Sequence, residues 1–438
     1  MTESSQVISA RRLGLLGAIA LALASALLPA QSPTAIPDAD PGRRPSRVVL
    51  TWRDDPARTQ AVTWRTDALV DEAFAEIAEA SASPGFGALA RRSPARTTAV
   101  PIAGATTAYY HEARFTALRP NTLYAYRVGD GATWSEWFHF RTASLEPASF
   151  SFIYLGDAQN DIRSLWSRAI RSAFVDAPRA RFVLHAGDLV NVGESDEQWG
   201  EWFGAGGWIN GMIPQVPVVG NHEYGRLNRD DPRQLSALWR PQFALPEDGP
   251  EGLTETTYSF DFQGARIIVL NSTEESRLDE QAAWLETRLK DHGQRWTIVA
   301  FHHPVFSVAA DRDNPRIRAA WKPLFDKYGV DLVLTGHDHT YGRGENLVDG
   351  TSRREDGGPV YVVSVSGPKM YEVGKGREWA TRTGAHAQLY QVITVTPQAL
   401  KFEARTVTGQ LFDAFDITRA RNGRRRFIDR KPELPGTY

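Results

Sequence analysis

Five apolar runs in this chain each end in residues that bind metals: FSFIYLGDAQN, RFVLHAGDLV, VPVVGNHE, WTIVAFHHP and VDLVLTGHDH. Each reads as a buried strand that breaks into Gly, Asp, Asn or His at its carboxyl end. In an open sheet of parallel strands such ends converge on one rim, however far apart the sequence sets them. Half of the ten histidines (His222, His302, His303, His337 and His339) fall in these breaks. A rim furnished this way predicts a site for two metal ions, and paired ions predict phosphate-ester chemistry.

The 438 residues leave room for two or three domains, and 42% hydrophobic with 23% charged residues is a globular balance. A net charge of -2 gives no global basic field, which argues against general nucleic-acid binding. Residues 1–30 read as an export signal: Arg11 and Arg12 precede the apolar LGLLGAIALALASALL, closed by small residues around Ala24 to Ala30. A membrane helix is the rival, but the run is short for about 30 Å of hydrocarbon and ends at Pro29. The arginine pair also invites the twin-arginine route, yet Leu13 and Gly14 fit it poorly, so the general secretory route is preferred. The mature protein is then expected to be periplasmic or secreted, with no stable membrane span. Without a single cysteine it must draw its stability from packing and metal.

Residues 31–45 (with SPTAIPDADPGRRP) read as a linker, and 46–144 as short strands such as VVLTW, AVTWR, YYHEARFTAL, LYAYRVG and WFHFRTA, predicting an antiparallel β-sandwich. Trp64 sits in an early strand, and LRPNTLY, with Tyr124, resembles the tyrosine-corner entry of fibronectin type III and immunoglobulin-like sandwiches, where the hydroxyl bonds back to the upstream chain. From 148 to 418, strands alternate with helical stretches such as SLWSRAIRSAF and DEQAAWLETRLK, an α/β pattern of α+β layers. GPVYVVSVSG and LYQVITVTPQALKFEARTV are expected to close a second sheet, and 419–438 to form a basic surface tail.

The ordered series GD, GD, GNHE, HxP and GHxH resembles the calcineurin-like metallophosphoesterase superfamily, and its nearest shape is a bacterial purple acid phosphatase-like protein with a fibronectin type III-like domain in front. The resemblance covers about 45 to 415 and implies a four-layer αββα sandwich for the catalytic part. It implies that Asp188 bridges two ions, as only a two-oxygen anion can. Asp157 and His339 resemble ligands of the first ion, and Asn221, His302 and His337 ligands of the second. His302 is preferred to His303 because it stands two before Pro304, which leaves His303 to packing, support or substrate contact.

Two usual ligands are missing. Asn191 stands where the purple enzymes carry an iron-binding tyrosine, and Gln159 where most other members carry a histidine. Either amide offers a carbonyl oxygen to a hard cation, so two divalent or trivalent ions (manganese, iron, zinc or magnesium) stay open. His222, next to Asn221, is the candidate general acid, with Glu223 as its orienting partner. The implied reaction is metal-assisted attack of hydroxide on a phosphate ester.

Tyr341 and Arg343 lie just after GHDH and are weaker candidates for substrate contact, as is the loop GPKMY at 367–371. His111, His139, His185 and His292 are read as packed or exposed, and Asp338 as pointing away from its histidine neighbours. The stretch WGEWFGAGGWING lines a cleft or packs beneath a loop. The expected function is an exported phosphomonoesterase of acid phosphatase type acting on a small ester. The rivals are a phosphodiesterase on nucleotides or lipid head groups and a binding or adhesion module with a decayed site. A homodimer stays open.

Overall fold

A computed structural model describes residues 41–226, 232–290, 293–345, 347–348, 352–353, 358–375, 377–420 and 425–433. The expected export signal, most of the linker and His292 lie outside these residues.

The front domain comprises β1 (Ser46–Thr51), β2 (Gln60–Thr66), β3 (Phe74–Glu79), β4 (Arg91–Pro101), β5 (Thr107–Phe115), β6 (Leu123–Gly129) and β7 (Phe138–Arg141). They pair antiparallel in the order β1-β2-β5-β4-β3-β6-β7. Strand β4 serves two halves: Arg91 to Pro94 pair with β3, and Ala95 to Pro101 with β5. The ribbon thus folds over on itself and encloses Val62, Trp64, Phe115, Tyr126 and Phe140 in one core. β3 and β4 escaped the quoted strand patterns because β4, mostly exposed and rich in Arg and Thr, lacks hydrophobic alternation. Tyr124 Oη accepts the Arg119 N–H at 2.9 Å, the back-bond expected of a tyrosine corner.

This domain is fastened to the larger one. Arg47 and Arg65 both reach Asp196 Oδ1 (2.7 and 2.6 Å), and Tyr126 donates to the Gly211 carbonyl (2.6 Å). Within WGEWFGAGGWING, Trp199 and Trp202 are fully buried against Trp239, Phe243 and Trp166, so those two indoles pack the interior.

The larger domain stacks two seven-stranded sheets. In the first, Phe150–Leu155, Val183–His185 and Gln215–Pro217 run parallel. In the second, Ala265–Val269, Trp296–Ala300, Leu332–Thr335 and Val360–Val363 do so. Alternation places the two faces: Ile298, Ala300, Leu332 and Leu334 share a core with Phe152 and Tyr154 of the first sheet. Val299 and Val333 turn instead toward helices Leu278–Leu289 and Pro315–Tyr328, where Leu285, Trp321 and Phe325 cover them. Helix Ser167–Asp176 packs along the first sheet through Ala169, Ile170 and Ala173. The result is the four-layer αββα arrangement.

Three expectations change. The apolar runs do not share one sheet; three belong to the first and two to the second. GPVYVVSVSG and LYQVITV do not close one sheet together: Val360–Val363 pairs with Leu332–Thr335, whereas Leu389–Val395 pairs with Phe150–Leu155. The basic tail is not simply surface chain, because Arg425–Asp429 adds an edge strand to Leu411–Arg419. Arg425 reaches the buried Asp331 (3.4 Å) and Asp429 the buried Arg343 (3.0 Å), and these ion pairs give a polar segment reason to order.

Candidate metal centre

The carboxyl ends of both sheets open onto one cluster. Asp157, Asp188, His337 and His339 all adopt the left-handed backbone, with φ of 38°, 50°, 72° and 51°. Non-glycine residues avoid that region, and its concentration in four candidates marks a site whose geometry the surrounding fold imposes. The motif glycines supply close approach: a Cβ on Gly220 would lie 2.3 Å from Asp188 Oδ1, and one on Gly336 2.5 Å from Asp157 Oδ2.

At one end of the cluster, His302 Nε2 lies 3.2 Å from Asp188 Oδ2, 3.1 Å from Asn221 Oδ1 and 3.1 Å from His337 Nδ1. His302 Nδ1 donates to the Ala186 carbonyl at 2.8 Å, which turns Nε2 toward the other three atoms. At the other end, Gln159 Nε2 lies 3.1 Å from Asp188 Oδ2 and 3.0 Å from His339 Nε2, while His339 Nε2 is 3.9 Å from Asp157 Oδ1. The Lys369 carbonyl holds His339 Nδ1 at 3.0 Å. Asp188 thus touches both groups, as its bridging assignment requires.

The electrostatics favour cations between these atoms. Burial works against a charged His302, yet Asp188 and Asp157 push its pKa up to about 9. Burial pushes His339 and His303 down to about 3, helped by Lys369 and His302 respectively, and lowers His337 as well. Burial would raise Asp188, but His302 holds it below the usual carboxylate range; burial and Asp188 push Asp157 well up. Imidazoles kept neutral by burial at His337 and His339, a His302 whose positive charge the carboxylates support, and two mutually repelling carboxyls in one pocket mark a place where a cation is favoured. Asp157, Asp188 and His302 can bring ligand atoms within 4.8 Å of one another. Gln159 Oε1 is buried without a partner, and half a turn of the amide would point that oxygen between Asp188 and His339. The residues therefore fit two cations.

The remaining candidates sort by contact. His222, at the mouth with its side chain 27% exposed, is held through Nδ1 by the Asn191 carbonyl (2.6 Å), and its Nε2 lies 3.9 Å from Asp188 Oδ2. Asn191 thus reaches the site through its backbone. Glu223 does not orient His222. Fully buried, it accepts the N–H groups of Asp188 (3.0 Å), Leu189 (2.8 Å), Val190 (3.3 Å) and Gly220 (2.7 Å), bracing two ligand loops. His303 bonds Ser272 Oγ through Nδ1 and packs against the His337 ring, tilted by 49° with 4.2 Å between centroids. Tyr341 and Arg343 do not face the site: both are fully buried and bind Asp413, at 2.7 and 2.9 Å. Alternation along their strand points these side chains into the layers between the sheets.

Asp338 turns away to accept the Val308 and Ala309 N–H groups. His111 and His185 are buried and hydrogen-bonded to Thr66 and Gln215, and His139 is exposed. Sequence reasoning missed Arg312, which donates to the His337 carbonyl at 2.5 Å from a loop with no periodicity to mark it.

Comparison with known proteins agrees with this geometry. Residues 45–142 match the purple acid phosphatase N-terminal domain, and residues 151–341 the calcineurin-like phosphoesterase domain. Acid phosphatase type 7 of Danio rerio is 32% identical over 270 residues, covering 54% of this chain and 57% of that protein. Phosphoenolpyruvate phosphatase of Allium cepa is 25% identical over 348 residues, covering 76% and 69%. The fold matches purple acid phosphatase PPD1 from yellow lupin (Lupinus luteus) with a TM-score of 0.74 at 20% identity, over 87% of this chain and 75% of that one. The chain spans about half to two thirds of the length of the curated relatives it matches.

Proposed function

The chain belongs to the purple acid phosphatase-like metallophosphoesterases, and from that premise we propose that it hydrolyses phosphate monoesters at the cluster built on Asp188. The observation that carries the reading is the convergence of Asp188 Oδ2, Asn221 Oδ1 and His337 Nδ1 on His302 Nε2, at 3.2, 3.1 and 3.1 Å, a mixed nitrogen and oxygen donor set of the kind that holds a cation. Asp157, Gln159, Asp188 and His339 would hold one ion, and Asp188, Asn221, His302 and His337 the other. Bound there, the two ions would supply Lewis acidity and activation of water.

The chain's own residues supply the rest. The Asn191 carbonyl holds His222 through Nδ1, which leaves Nε2 free at the mouth as the atom that would carry a proton to the leaving oxygen. Glu223 keeps Asp188 and Gly220 in place through four backbone bonds. The Lys369 and Ala186 carbonyls keep His339 and His302 with their lone pairs turned inward.

Export, by the signal segment read at residues 1–30, belongs to the same proposal, as does a fibronectin type III-like identity for 46–144, which the Tyr124 back-bond supports. Among the described residues no helix is long and apolar enough to cross a membrane. A homodimer is retained as part of the reading. The test is p-nitrophenyl phosphate hydrolysis by chelator-stripped protein refilled with manganese, iron or zinc, beside bis(p-nitrophenyl) phosphate. Return of monoester turnover with metal supports the proposal; diester turnover alone replaces it with a phosphodiesterase.

A further inference from the structure

Two cations at the mouth of the cluster share one aromatic ring. Arg312 Cζ lies 4.9 Å and Lys369 Nζ 5.6 Å from the Tyr371 ring centroid. Tyr371 in turn rests edge-on against His339, 4.9 Å between centroids, and its N–H donates to the His339 carbonyl. Arg312 is tied to the His337 carbonyl at 2.5 Å. Both cations are therefore fixed relative to the two histidines of GHDH.

Their counter-charge is partial. Arg312 makes one long ion pair, to Asp338 Oδ1 at 3.8 Å, while Asp338 Oδ2 is taken by Val308 and Ala309 N–H groups. Lys369 makes no ion pair among the described residues. Of the acids nearby, Asp313 is paired with Arg318 (2.6 Å) and Glu372 faces His386 (2.9 Å), while Asp311 is exposed on the same loop. Beyond Arg312 a cleft of about 600 Å³ opens between residues 310–313 and Val373, Gly374, Lys375 and Arg377, with Lys375 on its wall.

No step of the hydrolysis described above uses these groups. We propose that Arg312 and Lys369 bind a second anionic group on the leaving group of the ester, a carboxylate or a further phosphoryl, with the body of the leaving group in the adjoining cleft. The inference rests on the phosphoesterase reading of the site. An Arg fork matches either anion in bidentate fashion, and cations already pinned on a ring lose less freedom on binding than free side chains. The substrate class is then a doubly anionic ester, selected over one with a neutral leaving group.

Calorimetry on the metal-loaded protein reads this without turnover, using 4-carboxyphenylphosphonate, benzene-1,4-diphosphonate and the uncharged 4-carbamoylphenylphosphonate. The charged ligands are expected to bind about tenfold tighter than the carbamoyl analogue. The double substitution R312Q/K369Q should abolish that preference, read as the ratio of charged to carbamoyl affinity in the same metal-loaded variant, and K369Q alone, at a partly exposed side chain, should reduce it. Gain for one charged ligand only names the second group. Equal binding of all three, a preference that survives the double substitution, or no binding at all overturns the proposal. p-Nitrophenyl phosphate turnover in the same preparation reports separately on the phosphoesterase reading.

Discussion

Glu223 carries Asp188 on its carboxylate: the Asp188 N–H sits 3.0 Å from Glu223 Oε2, and the same oxygen holds Gly220 N–H at 2.7 Å. One buried side chain thus sets the spacing between the GDLV and GNHE loops. Replacing it with Gln keeps the volume but turns an NH₂ toward N–H donors. The Glu223→Gln protein should bind metal about 10- to 100-fold more weakly, read by competition with a chelator. Unaltered affinity would remove the bracing role.

His222→Ala should lower kcat by about 10² to 10⁴, with metal content intact, because the ring bonds the Asn191 carbonyl and is not needed to hold either ion. A kcat equal to the parent's would take the general-acid role from His222.

Gln159 carries the one buried carbonyl oxygen of the cluster without a partner. Gln159→Ala should weaken one of the two metal-binding events in a calorimetric titration and spare the other. With Asn191 in the place of a phenolate ligand, an iron-loaded form should show no strong visible charge-transfer band. A purple iron protein would contradict that assignment.

Arg343 and Asp413 form a fully buried pair at 2.9 Å, joined by Tyr341 and by Asp429 of the last strand. Asp413→Ala leaves the buried guanidinium with the partly exposed Asp429 as its closest carboxylate and should cost up to about 3 kcal/mol in urea unfolding. KM for p-nitrophenyl phosphate should not move, since neither side chain faces the site; a KM effect without loss of stability would restore them as substrate contacts.

Burial pushes His111 down to about 4, within hydrogen bonds to Thr66 and Thr97. Between about pH 6.5 and pH 4 the unfolded chain takes up a proton that the folded one refuses. Stability is therefore complete above pH 6.5 and declines as pH falls through that window, by up to on the order of 3 kcal/mol from this group. His111→Gln should flatten that part of the profile in unfolding measured at pH 4.5 and 7; a slope identical to the parent's would locate the effect elsewhere.

What the sequence carried by itself was local: the period of two that makes the strands, the glycines that turn them, and the ligand types at their ends. These depend on a residue and its near neighbours, so GDAQN, GDLV, GNHE, HHP and GHDH were legible, and the motif series gave the family. The tertiary structure decided which way equivalent side chains face and what stands beside them. Tyr341 and Arg343 sit two and four residues past His339, yet alternation in a paired strand buries them on Asp413. Glu223 reads as a partner of its neighbour His222 but serves a loop 35 residues upstream. Arg425 to Asp429 pair as a strand with Leu411–Arg419, and Asp331 and Arg343, far away in sequence, neutralise the charges at its two ends. Long-range burial and charge compensation are properties of the assembled layers, which is why no local pattern announces them.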